Sequence, residues 1–293
     1  MKFKLAQSAR VLKQQRRALL ATYDDEELHQ LRVTLRRIRS ALESIPTPKA
    51  RRLRRDLGRL AHATNAARDW DTLVACARSE LTTSQLGVLE PGLCARRSAA
   101  RDEVYQLLGS RRWKTVVRRW KKYSKKADFE GQGRAGTGPG LEKIVKRSNR
   151  AIRRALAKDD DKHWHQLRIA IKRLRYTLET MPEISQGSRA GQTVALCKRL
   201  QTELGDWHDT VVHQRLLDEF VDRAGHEAGS EADEALSQLL DTLALRRRRC
   251  LDNIKAELSC HTGGHDLTSG ELLVADEGGA GSLSGNRGPA AGR

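Results

Sequence analysis

HQLRVTLRRIRSALES, from His29 to Ser44, returns 136 positions later as HQLRIAIKRLRYTLET, from His165 to Thr180. Eight of the 16 aligned positions are identical, and Val33/Ile169, Leu35/Ile171, Arg36/Lys172 and Ile38/Leu174 are conservative replacements. A gapless internal match of that length marks a duplicated unit. In the first copy, Leu28, Leu31, Leu35, Ile38, Leu42 and Ile45 recur at the i, i+3, i+4 spacing of an amphipathic helix. At about 100° per residue, His29, Arg32, Arg36 and Arg39 form a second stripe, roughly 80° wide, directly beside the apolar one. His165, Arg168, Lys172 and Arg175 repeat it, and acids enter only at its end, as Glu43 and Glu179. Each copy thus presents a ladder of imidazole and cationic groups. Arginine's planar fork matches phosphate oxygens, so the ladder is a candidate phosphate-binding surface.

A second duplicated signature appears at an offset of 140, where Arg59-Leu60 through Arg68-Asp69 aligns with Arg199-Leu200 through His208-Asp209. The first helix is expected over residues 4 to 20, with Leu5, Ala9, Leu12, Leu19 and Leu20 inward. Its counterpart runs from Leu141 to Ala157, with Ile144, Val145, Ile152 and Leu156 apolar. Arg10 and Arg17 correspond to Lys146 and Arg153, a second basic row offering additional phosphate contacts. Acids then precede both key helices, Asp24 to Glu27 and Asp159 to Asp161, complementing a helix N-terminus. The key helices should end near Pro46 and Pro182. A third helix is expected over Lys49 to Ala67 and again over Ser188 to Leu204. A fourth is expected over Asp69 to Leu81 and again over Asp209 to Ala224. Closing helices should run from Glu90 to Tyr123, with a break at Gly109, and from Glu231 to Leu258. EGQGRAGTGPG, Glu130 to Gly140, reads as a linker, and the Gly- and Ser-rich stretch from His261 reads as disordered.

These motifs carry a resemblance. The doubled H-x-x-R-x-x-x-(R/K)-R-x-R pattern, with RDWD at Arg68 to Asp71 and LGDWHD at Leu204 to Asp209, resembles the CHAD family, the conserved-histidine α-helical domain. The similarity covers residues 4–258. It implies an all-α fold of two helical bundles related by a pseudo-two-fold, each a copy of a four-helix unit, with the ladders facing a basic central groove. The bundles would be 4–126 and 141–258, joined by a Gly-rich linker over 127–140, and 261–293 would be a disordered tail. The resemblance also implies binding of inorganic polyphosphate and association with polyphosphate granules. Some relatives are joined to a triphosphate-tunnel enzyme domain, for which this chain has no room.

Charge agrees with a polyanionic partner. The 293 residues include 55 basic and 37 acidic ones, a net of +18, and the last 33 carry four acids against two arginines, leaving +20 on the rest. Aromatic residues make up only 4%, which disfavours a base-stacking surface. A linear polyanion without bases suits the ladders better than nucleic acid, which stays the alternative partner. An enzyme is the weaker reading: there is no G-x-x-x-x-G-K-[ST] loop and no nucleophile–base pair, so no catalytic residue is assigned. No cofactor or metal is expected. His163, His165, His208 and His213 lack metal-binding helix spacing, and His163 and His165 point to different faces. Asp69 and Asp209 are read as caps or internal salt bridges that orient a ladder arginine.

Five cysteines without C-x-x-C spacing fit unpaired thiols in a cytoplasmic protein, and no apolar run reaches the length of a membrane span. The basic N-terminus lacks a secretory apolar core and aligns with an internal helix, so it reads as structure. RRWKTVVRRWKKYSKK, Arg111 to Lys126, reads as an amphipathic helix packing its tryptophans, with an accessory anion or membrane-surface face as the alternative.

Overall fold

The computed structural model describes residues 5–43, 45–125, 139–179, 189–224 and 230–261. A 3-10 turn, Leu5–Gln7, leads into α1 (Ser8–Ala21), α2 (Asp25–Glu43), α3 (Pro48–His62) and α4 (Asn65–Glu80). Then come α5 (Thr83–Gly109), α6 (Arg111–Ser124), α7 (Pro139–Lys158), α8 (Asp161–Glu179), α9 (Arg189–Ala224) and α10 (Glu231–His261). The chain is all-α, with no strand among the described residues. Of the expected linker, 127–138 lies outside the described residues, as does 262–293 of the expected tail.

The helices fall into two compact units, divided by contact and not by sequence halves. One contains α1 to α6 with Leu200–Glu257 of α9 and α10; the other contains α7, α8, α9 up to Arg199 and the end of α10 from Leu258. In the first unit the apolar stripe of α2 is buried as its spacing requires: Leu28, Leu31, Leu35 and Ile38 are fully enclosed, with Leu42 and Ile45 nearly so. α6 seals the same core with Trp113 and Trp120, and Trp120 Nε1 donates to Ser8 Oγ of α1 at 2.8 Å. In the second unit Trp164, Leu167, Ile171, Leu174 and Leu178 bury the matching face of α8. Fully burying one such side chain stabilises by about 1.5–3 kcal/mol.

The acidic helix starts act as caps. Asp24 Oδ1 accepts from Glu27 N–H at 2.8 Å, and Asp160, its counterpart 136 positions on, accepts from His163 N–H at 2.9 Å. Asp160 also bonds the His163 ring at 2.7 Å.

Four expectations need correction. Leu20 is exposed, because it lies a helical step away from the buried Leu19. α5 begins at Thr83, well before Glu90, with a reciprocal capping box of Thr82 and Gln85 at its start and Pro91 held within it between the buried Leu89 and Leu93. α4 begins at Asn65 instead of Asp69. The third and fourth helices of the second copy are one continuous helix, α9. At the α3–α4 corner of the first, Thr64 Oγ1 donates to Ala61 O at 2.8 Å, and Arg32 Nη1 donates to the same carbonyl at 3.2 Å. The matching position of the second is Leu204, which is buried within α9.

His213 on α9 is buried, with Nε2 3.1 Å from Thr72 Oγ1, and burial first, then the Arg246 charge, pushes its pKa down to about 4. The folded protein therefore refuses a proton that the unfolded chain accepts near pH 6.5. Stability present above that pH should fall as pH drops towards 4, by roughly 3 kcal/mol. Denaturant unfolding of wild type and His213→Asn between pH 7.5 and 4.5 checks this: the variant should show the shallower loss. Parallel pH profiles would contradict it.

Candidate polyanion-binding ladders

On α2 the four ladder residues have distinct surroundings. Arg36 is exposed, whereas His29, Arg32 and Arg39 are half-buried. Arg32 reaches the α3–α4 corner, where its Nη1 donates to Ala61 O (3.2 Å), Thr64 Oγ1 (2.9 Å) and Asn65 Oδ1 (2.8 Å). Burial lowers its pKa, Asp69 opposes that shift, and Arg68 and Arg36 add to it. Arg32 thus fixes the corner that presents the RDWD segment. His29 is held below the usual histidine range, by burial first and then by Arg68, so its imidazole is neutral at neutral pH.

Asp69 lies in electrostatic reach of Arg32. Burial raises its pKa; Arg32 and Arg215 oppose the shift, and Asp209 reinforces it. The aspartates of the two repeated motifs therefore feel each other's charge. Asp209 also lines a cavity of about 590 Å³ shared by α4, α9 and α10. That cavity mixes Glu203, Asp206 and Asp209 with Arg246 and Arg249, a poor match for a polyanion.

Arg39 sits against Gly58 of α3. A Cβ on Gly58 would lie 3.4 Å from Arg39 Nε, so the glycine gives the guanidinium its seat. Arg39 Nε is buried without a hydrogen-bond partner. Around it opens a concavity of about 620 Å³, lined by Arg39, Arg54, Arg55, Arg59, His62 and Arg112, with no carboxylate in its wall. Glu43 pairs with Arg54 at 3.1 Å and Asp56 with Arg59 at 3.5 Å, offsetting part of that charge from outside.

In the second unit, His165 is exposed, and Arg168 and Lys172 are half-buried on α8. Arg175 is half-buried, with Nε 3.5 Å from Glu179 Oε1 and its guanidinium 4.9 Å from the Tyr176 ring centroid. Nearby, burial pushes the Cys197 thiol up to about 12, leaving it an inert core group. Of the additional basic row, Arg10, Arg17, Lys146 and Arg153 are all exposed, and Lys146 Nζ bonds Glu142 at 2.5 Å. Among the described residues no cluster of His, Cys, Asp and Glu could hold a metal, and no helix is long and apolar enough to cross a membrane.

Sequence reasoning missed Arg68 and Arg215 as neighbours of the ladder, although Arg68 opens the RDWD motif. It also missed Asp71 as the hinge of a buried network, in which Asp71 Oδ1 accepts from Arg101 Nη2 at 2.6 Å and Oδ2 accepts from Tyr23 O–H at 2.7 Å. The position of Arg101 in α5 carries no motif that could have revealed the pair.

An all-helical chain with repeated cationic helix stripes is the class that fold and surface define. The family model described as "CHAD domain" matches residues 4–218, and the chain belongs to that family. Among solved structures it is similar to the CHAD domain from the plant Ricinus communis, at 27% identity and a TM-score of 0.63, covering 87% of this chain and 88% of that one. PptA from Streptomyces chartreusis shares the fold at 16% identity and a TM-score of 0.62, covering 87% and 96%. No curated protein matches the sequence.

Proposed function

We propose that this chain binds inorganic polyphosphate without transforming it, through the His29–Arg39 and His165–Arg175 ladders, and is thereby recruited to polyphosphate granules in the cytoplasm. The observation that carries the reading is the Arg39 concavity, whose wall combines five arginines and a histidine with no carboxylate. Membership of the CHAD family and likeness to the Ricinus communis domain support it. So does composition: with 4% aromatics, little surface is available to stack bases, whereas charge and phosphate spacing suffice for a chain without bases. Asp69 and Asp209 serve in this reading as orienting carboxylates, not as catalytic or metal-binding ones.

Competition at physiological salt tests the choice of ligand. Polyphosphate should displace labelled polyphosphate at least tenfold more effectively than RNA at equal phosphate concentration, and no phosphate should be released with magnesium or manganese. Equal displacement by RNA would assign the ladders to a nucleic-acid backbone, and steady phosphate release would make the protein an enzyme.

A further inference from the structure

α1 and α6 lie outside the ladders and share an unusual property. Together they carry eleven lysines and arginines and no aspartate or glutamate. They nevertheless pack on one another: Trp120 of α6 bonds Ser8 at the start of α1, and Trp113 is buried beneath both. Packing brings Lys13, Arg16 and Arg17 of α1 to the same cleft as Lys114, Arg118 and Lys121 of α6. The cleft has a volume of about 520 Å³, and Trp113 and Val117 form its floor.

Surface helices usually interleave the two signs of charge, and like charges a few ångströms apart repel. Here six cations converge, and among the described residues no carboxylate pairs with any of them. Arg16 is already oriented, with Nε donating to Leu108 O at 2.7 Å. The other five are exposed and able to turn towards a ligand. An occupant that neutralises them must therefore carry several negative charges close together.

The floor narrows the choice further. Trp113 and Trp120 are 1% and 0% exposed, so neither can stack on a base or insert among lipid tails. We infer that the α1–α6 cleft is a second polyphosphate-binding site, separate from the α2 and α8 ladders and sharing no residue with them except Arg17 of the additional basic row. This rests on the polyphosphate reading of the protein. It gives one molecule more than one foothold on a long chain, which raises retention on a dense polyphosphate surface by effective concentration.

Calorimetric titration with a short polyphosphate of defined length separates the sites. The variants are Arg17→Glu with Arg118→Glu in the cleft, Arg36→Glu with Lys172→Glu in the ladders, and all four together. Arg16 is left intact because it holds the Leu108 carbonyl. The ladder variant should keep residual binding, and adding the cleft substitutions should weaken that remainder by about a hundredfold, roughly tenfold or more for each charge-assisted hydrogen bond removed. Arg17→Gln with Arg118→Gln, which only neutralises the cleft, should act in the same direction if the reversals perturb folding.

Residual binding unchanged by the cleft substitutions, or abolished entirely with the ladders, would overturn the second site. Cleft substitutions that weaken only RNA or anionic-vesicle binding would overturn it too, by giving the cleft a different occupant. If the ladder variant binds like wild type while the cleft variant does not, the ladder assignment fails and the cleft site stands.

Discussion

Arg101→Met should destabilise the first unit by about 3–5 kcal/mol, because it strands a buried carboxylate. The Asp71 side chain is 1% exposed and accepts two bonds from Arg101, at 2.6 and 3.0 Å, as well as the Tyr23 hydroxyl at 2.7 Å. The guanidinium also lies 4.1 Å from the Tyr23 ring centroid. Burial and the Asp71 charge both raise the Tyr23 pKa, so the phenol stays a donor at every working pH. Without Arg101 the carboxylate is left to that phenol in a dry setting. The melting temperature should drop by roughly 6–20 °C.

Asp71→Leu combined with Arg101→Met should recover much of the loss, since replacing both partners of a buried pair by apolar groups is often neutral. Thermal melts of the wild type and three variants form a double-mutant cycle. A drop below about 1 kcal/mol for Arg101→Met would mean that solvent reaches Asp71, and the network would not tie the α1–α2 loop, α4 and α5 together.

Much of this arrangement was legible in the sequence, and for identifiable reasons. The apolar faces of α2 and α8 follow from helical spacing alone, so Leu28 to Ile45 and Leu167 to Leu178 lie where the pattern puts them. The acidic helix starts at Asp24 and Asp160 were readable because a helix N-terminus favours carboxylates, and in the structure both aspartates cap. The break at Gly109 and the buried tryptophans of α6 were readable on similarly local grounds. What depends on distant residues was not. The duplicated motif suggested a break before Asp209, yet α9 runs on through it. The stripe showed Arg32 as one rung among four, whereas the α3–α4 corner claims its Nη1. The Arg39 concavity needs α3 and Arg112 to fold onto α2, a convergence that spacing within one helix cannot express.

That difference between rungs decides which of them should be reversed to test polyphosphate binding. Reversing Arg32 would disturb the corner it holds, so weaker binding there would be ambiguous. Arg36 is exposed on the same stripe, and Lys172 is its counterpart on α8. Removing one charge-assisted hydrogen bond should cost about 1.5–3 kcal/mol, so the pair should act on the scale of a hundredfold or more. Arg147 and Arg154 are exposed on α7, off the Lys146–Arg153 row, and their reversal removes the same formal charge from outside the stripes. The decisive measurement is polyphosphate affinity at physiological salt for wild type, Arg36→Glu with Lys172→Glu, and Arg147→Glu with Arg154→Glu, each checked for unchanged helicity and melting. Specific ladders predict a loss of about a hundredfold for the first pair and less than about threefold for the second. Equal losses from both pairs would contradict the ladders and leave only a diffuse attraction to a basic surface.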